Sequence, residues 1–246
     1  MRPQGKVVLV TGAARRVGRA IAMALGQRGA RVAIHYNNSK KEAERLADDI
    51  RDGFGRDAAL FKADLGDPRQ IRKMVEGVVK QFGALHVLVN NASIYEKTPF
   101  EVASLKDWDS HLNVNLRAPF LLCQAAAPHM RKSEEGGRII NLADWAAHRP
   151  YADYIPYCVS KAGLLCLTQA LAKELAPEIT VNALLPGPVL LPENISRNGR
   201  AAVIKATLLK RLGTPEDVAQ AVLFLIESGD FITGASLPVD GGRLIA

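Results

Sequence analysis

Lys6-Val-Val-Leu-Val-Thr11-Gly12-Ala-Ala-Arg15-Arg16-Val17-Gly18 is the stretch that decides how this chain folds. Lys6 to Thr11 is a short run of β-branched and aliphatic residues, broken at once by Gly12; Gly18 then leads into a helical pattern from Arg19 to Arg28. Strand, glycine turn and helix in that order let the backbone approach a pyrophosphate, and the amides at the helix start supply donors and a favourable dipole. Two glycines after a strand are more often an ordinary turn, so the reading rests on whether the alternation repeats along the chain. It does, with Arg31–Tyr36 and Lys40–Ile50, Ala58–Lys62 and Pro68–Phe82, then Leu85–Val89 and a long helical region ending near Lys132. Gly137–Leu142 reads as a buried strand, Ala162–Glu174 as a helix and Thr180–Leu184 as a strand. An irregular Pro/Gly segment from Pro186 to about Arg211 precedes a helix at Pro215–Glu227 and a last strand at Ser236–Val239. Repetition of this kind predicts an α/β fold, a doubly wound parallel sheet with helices on both faces.

Length and composition set the outer bounds. At 246 residues and 48% hydrophobic content, one domain spanning 1–246 is expected, since two would both be small. Apolar stretches such as Leu85–Val89 are too short to cross a bilayer and no signal-type segment precedes the first strand, so a cytoplasmic protein without a membrane partner is expected. Cys123, Cys158 and Cys166 lack metal-ligand spacing and read as buried free thiols; the histidines show no paired spacing, so no metal site is expected. The net charge of +7 is spread along the chain without an arginine-rich tract, which argues against nucleic acid and suits a phosphate-bearing small ligand.

Chemistry concentrates between Asp144 and Lys161. Tyr157 and Lys161 are four apart at the start of a helix, so both side chains leave one face about a turn apart. A cation beside a phenol favours the phenolate and would bring the hydroxyl nearer neutrality as a proton donor and acceptor. Asp144, just past the strand Gly137–Leu142, is delivered to the same region, and carboxyl ends of strands are where such sheets bind ligands. On its own, Tyr-x-x-x-Lys is more often only a solvated helix face.

Thr11-Gly12 with Gly18, Asp64-Leu65, Asn90-Asn91-Ala92, Asn115, Tyr157-x-x-x-Lys161, Pro186-Gly187 and Val239-Asp-Gly-Gly242 together resemble the short-chain dehydrogenase/reductase family, in its order and over almost the whole chain. The resemblance implies a Rossmann fold binding a nicotinamide nucleotide. Two departures narrow it: Arg16 stands where most members have a third glycine, and Asp144 where most have serine. With Asn91-Ala-Ser93, His35-Tyr36-x-x-Ser39 and Pro186-Gly-Pro-Val-Leu-Leu-Pro-Glu-Asn194, they are similar to the pteridine reductase branch, including bacterial dihydromonapterin and dihydrofolate reductases.

The end of the second strand decides between cofactors. No acidic residue stands at His35-Tyr36-Asn37-Asn38-Ser39 to repel a 2′-phosphate, while Arg15, Asn38 and Ser39 can meet one, so NADP(H) is expected; Asn37-Asn38-Ser39 also suits a helix cap. An arginine that similar enzymes carry near Asn38 is missing, which leaves phosphate affinity more on Arg15. The resemblance places Gly12, Arg15, Arg16, Val17, Gly18, Tyr36, Asp64, Leu65, Asn91, Ala92, Ser93, Pro186 and Gly187 around the cofactor with Tyr157 and Lys161; Asp64 reads equally as a helix-entry residue. Asn115, poorly suited to a helix interior, is implied to kink its helix and hold a proton-relay water, or else only to make a helix contact. Tyr95 is implied to stack a flat pterin, its alternative being a surface anchor, with Arg16, Ser93, Asp144 and Tyr157 also at the substrate and 188–212 as a substrate loop.

Three functions fit these residues. The first is an NADPH-dependent reductase acting on a C=N bond of a pterin or folate, with Tyr157 and Asp144 managing the proton. The second is a carbonyl reductase of the 3-oxoacyl thioester type, against which a carboxylate at 144 would repel a developing oxyanion. The third is a non-catalytic NADP-binding protein. Relatives commonly assemble as homotetramers, which the resemblance implies here.

Overall fold

The computed structural model describes residues 1–191 and 195–246, so the tail of the Pro186–Asn194 resemblance and part of the expected 188–212 loop, Pro192–Asn194, lie outside the described residues. Seven strands form one parallel sheet: β1 (Val7–Val10), β2 (Arg31–Tyr36), β3 (Ala58–Lys62), β4 (Val87–Asn90), β5 (Gly137–Leu142), β6 (Ile179–Pro186) and β7 (Ser236–Val239). Their order is β3-β2-β1-β4-β5-β6-β7. Val8 of β1 is aligned with Val32 of β2 on one side and Val87 of β4 on the other. The chain therefore leaves β1 in one direction and later resumes on its other flank, and loops departing the carboxyl ends of β1 and β4 diverge into a crevice.

Both faces of the sheet are covered, which is why its strands are nearly continuous apolar runs rather than alternating ones. On one face α1 (Arg16–Gln27), α2 (Lys40–Phe54) and α8 (Pro215–Glu227) bring Ile21, Leu25, Leu46, Ile50 and Val222 against Val8, Val10 and Ile34. On the other, α3 (Pro68–Phe82), α5 (Ala118–Met130) and α6 (Ile155–Leu175) bring Ile71, Val75, Leu122 and Leu175 against Leu9, Leu88 and Ile139. Fully burying one such aliphatic side chain stabilises the fold by about 1.5–3 kcal/mol, so the sheet and its two helical layers hold each other.

Several expectations need correction. The region after β4 is not one helix: a loop leads to α4 (Leu105–Leu112), then a π-helical turn over Asn113–Arg117, then α5. The Pro186–Arg211 segment contains α7 (Arg197–Lys205), capped by Ser196 Oγ accepting from Gly199 N–H at 3.0 Å. None of its residues is buried, so no apolar stripe announces it. Asp64 does not cap α3; Asp67 does, accepting from Arg69 N–H, while Asp64 accepts from Gly66 N–H within its own turn. Cys166 is exposed, unlike Cys123 and Cys158. Finally, α6 has the length and hydropathy of a membrane span, although half of that apolar window is buried within the fold.

Candidate active site

The crevice is built from turns tied together by the side chains of Thr11 and Asn91. Thr11 Oγ1 accepts from Asn91 N–H at 2.9 Å and Ala92 N–H at 3.0 Å, and Asn91 Nδ2 donates to Thr11 O at 2.8 Å, so the turns after β1 and β4 are fastened together. Gly12 sits at φ 61°, and its N–H donates to His35 Nδ1 at 3.0 Å. Since Nδ1 accepts there, Nε2 carries the proton and donates to Ala63 O at 3.1 Å. Burial holds the imidazole below its ordinary value, in keeping with this neutral form. A Cβ at Gly18 would collide with the Gly12 carbonyl and stand 2.6 Å from Asn91 Nδ2, so this tight turn has no room for a side chain.

These residues fit a dinucleotide. Among the described residues no side chain caps the first amides of α1, the arrangement that receives a pyrophosphate. Tyr36 closes β2 and Ser39 precedes α2, but Ser39 makes no cap bond; its Oγ accepts from Arg15 Nε at 2.8 Å and from Nη2. Arg15 also lies 3.4 Å from Glu42, which leaves it a shared rather than a free cation. Asn37, Asn38 and Arg16 are exposed alongside, and no carboxylate ends β2. Leu65 is buried and Asp64 exposed beyond β3, and Gly187 is pressed so close to Asp240 that a Cβ would lie 2.6 Å from its Cα. Val17 and Pro186 are half-buried at the rim.

Beyond the crevice, three elements deliver the reactive groups. α6 presents Tyr157 and Lys161, both buried. Asp144, just past β5, receives Tyr157 Oη–H on Oδ2 at 2.8 Å, and on Oδ1 accepts Tyr151 Oη–H at 2.8 Å and Ala146 N–H at 2.7 Å. Lys161 Nζ donates to Leu142 O at 2.7 Å and lies 5.7 Å from the Tyr157 ring centre. The expected shift toward neutrality is not found: burial, then the Asp144 carboxylate, push the Tyr157 phenol well above its ordinary value. Lys161 is in turn pulled down to about 8 by burial, with Asp144 opposing the shift.

Asn115 lies in the π-turn, where its amide is fully used. Oδ1 accepts from Ile94 N–H at 2.9 Å and Ser93 Oγ at 3.1 Å; Nδ2 donates to Ile94 O at 3.0 Å and Ser160 Oγ at 3.1 Å. It thus holds the loop after β4 against α6. That loop carries Tyr95, half exposed, whose ring stacks on Tyr154 at 4.6 Å and meets Tyr157 edge-on at 4.8 Å. Thr98 N–H donates to Asp153 O, and Lys97 pairs with Asp153, so the two segments carrying the stacked rings are bonded to each other.

The fold therefore brings Asp144, Tyr157, Lys161, Asn115, Ser93 and Tyr95 to one end of β4 and β5, and Gly12 through Gly18, Ser39 and Asn91 to the adjoining crevice. Sequence reasoning missed His35, Tyr151 and Tyr154 as site residues. For the two tyrosines a signal was present: four of the chain's five tyrosines fall between Tyr95 and Tyr157.

Comparison with known proteins places this geometry. The family described as Enoyl-(Acyl carrier protein) reductase matches residues 12–243. A short-chain type dehydrogenase/reductase of Picea abies is 35% identical, covering 98% of this chain and 93% of its own length. The 3-oxoacyl-[acyl-carrier-protein] reductase of Staphylococcus aureus is 35% identical over 96% of this chain and 97% of its own. A short chain dehydrogenase from Burkholderia cenocepacia, solved in complex with NADP, superimposes with a TM-score of 0.91 at 39% identity, covering 99% of both chains. Glycine turn, pinned crevice and Asn–Tyr–Lys set, together with relatives matched end to end, make this chain a member of the short-chain dehydrogenase/reductase family.

Proposed function

We propose that this chain is an NADPH-dependent reductase that delivers hydride to a C=N bond of a reduced pterin or folate. The observation that carries the reading is the Asp144 carboxylate, hydrogen-bonded at 2.8 Å to the Tyr157 hydroxyl. Reduced NADP supplies the hydride when bound; the turn between Gly12 and Gly18, with Arg15 and Ser39, would hold its phosphates. Tyr157, kept protonated by burial, donates a proton to the ring nitrogen as the adjoining carbon is reduced. Asp144 accepts a ring N–H of the substrate, a task that serine cannot match in charge. Tyr95 offers a planar face beside Tyr157 for a flat heterocycle. Asn115 fixes the Ser93–Tyr95 loop. The exposed Phe120 of α5 and Val159 of α6 suit assembly into a homotetramer through those helices.

A second reading, reduction of a 3-oxoacyl thioester, is supported by what the Staphylococcus aureus relative is named for. The same carboxylate stands against it, since it would face the oxyanion that develops on a ketone. NADPH oxidation in the presence of 7,8-dihydrobiopterin, dihydrofolate and an acetoacetyl thioester separates the two. Turnover of the pterin or folate is expected, with Asp144→Ser lowering it by roughly a hundredfold while sparing ketone reduction. Turnover of the thioester alone, or an Asp144→Ser variant with undiminished pterin activity, would return the protein to the carbonyl reductases.

A further inference from the structure

A carboxylate offers about four acceptor positions, two on each oxygen. On Asp144 both positions of Oδ1 are taken, by Ala146 N–H and Tyr151 Oη–H, and one of Oδ2 is taken by Tyr157 Oη–H. Among the described residues one remains free, on Oδ2 beside Tyr157. A substrate edge with two adjacent donors, such as a pterin's N3–H and 2-amino group, cannot be gripped by both oxygens while Tyr151 stays in place. Nor is Tyr151 free to leave. Its ring lies 5.3 Å from Trp145 and meets Tyr154 edge-on at 5.9 Å, and the Arg243 guanidinium sits 5.0 Å above Trp145.

We propose that Tyr151 is a positioning residue that occupies Oδ1, so that Asp144 presents Oδ2 alone to Tyr157 and to a single N–H of the substrate. The proposal deepens, and rests on, the reading of Asp144 as part of the reduction site. It makes recognition one-pointed: the carboxylate accepts one ring N–H rather than gripping a two-donor edge, and the nitrogen of the reduced bond is left to the Tyr157 hydroxyl. Half-buried beside Asp144, the Tyr151 phenol is held well above its ordinary value by desolvation and the carboxylate, and remains a donor at neutral pH.

The test is a double-mutant cycle of wild type, Tyr151→Phe, Asp144→Asn and the pair, assayed by NADPH oxidation with 7,8-dihydrobiopterin and, in parallel, an acetoacetyl thioester. On the probe that wild type turns over faster, Tyr151→Phe is expected to lose roughly ten- to a hundredfold in kcat. NADPH affinity by fluorescence titration should stay within about twofold, and in the Asp144→Asn background the second substitution should add less than about twofold. Phenylalanine preserves the packing, so an unchanged rate, or the same loss in both backgrounds, overturns the proposal. Tyr151→His, which returns an N–H donor, is expected to recover part of the rate and counts against the proposal if it does no better than phenylalanine. Wild-type activity in Asp144→Asn alone overturns the Asp144 reading and this proposal with it. Impaired Asp144→Asn with additive losses overturns this proposal only.

Discussion

Arg16 is, with Asp153 and Lys210, one of three non-glycine residues at positive φ among the described residues. It opens α1 at φ 55°, the left-handed region, at the position where most family members carry glycine. A non-glycine residue there costs about 1–2 kcal/mol, partly offset on substitution by the entropy a glycine loses on folding. Arg16→Gly is therefore expected to leave stability unchanged or raise it by up to about 1 kcal/mol in urea unfolding. Val17→Gly, one position on, should cost about 1 kcal/mol. Lys161 gives a pH prediction. Its ammonium is favoured below about 8 and lost above it, so kcat/KM should fall as pH rises through about 8, and Lys161→Met should remove that limb with most of the activity. A profile flat to pH 10 would show that Lys161 stays charged or is not needed. At this scale the sequence is half transparent. Tyr157 and Lys161 can be paired because one helix fixes their spacing, whereas Tyr151 meets Asp144 only through the fold of the 144–154 segment, which no periodicity announces.

Elements were legible where burial wrote a pattern. β2, β3, β5, α3 and α8 end where their apolar runs and caps end, Asp67 and Pro68 opening α3 and Thr214 and Pro215 opening α8. α6 begins earlier than its strongly helical run, at Ile155, because Pro156 in the first turn needs no N–H partner. α7 escaped notice since it buries nothing, and the π-turn around Asn115 since an extra residue in a helix leaves no compositional trace. The capping box at Thr214, with Thr214 Oγ1 accepting from Asp217 N–H at 3.2 Å and Asp217 accepting from Thr214 N–H at 2.8 Å, also ties Arg211 to the start of α8. Thr214→Ala should cost about 1 kcal/mol in thermal or urea unfolding; an effect near zero would mean that Arg211 and Asp217 hold that end without the hydroxyl.

Across the whole molecule, His35 does what no single element can, joining the turn after β1, the end of β2 and the residue after β3 through Gly12 N–H and Ala63 O. Its folded value lies below the ordinary imidazole value, so folding favours the neutral ring. The stability it contributes is therefore present above about pH 6.5 and declines as the pH falls below that value, where the unfolded chain takes up the proton first. His35→Phe should flatten this acid decline and cost about 1–3 kcal/mol at pH 8 by stranding the Gly12 N–H; an unchanged decline would assign it to other groups. Past β5, the aromatic wall of the site has a consequence of its own. The chain has two tryptophans, and Trp145 is roofed by Arg243 and faces Tyr151, with Tyr95, Tyr154 and Tyr157 continuing the row of rings into the reaction site. With Trp108 replaced by phenylalanine, the remaining indole becomes an intrinsic lamp at the pocket wall, excited through its tyrosine neighbours, whose colour and brightness record what enters.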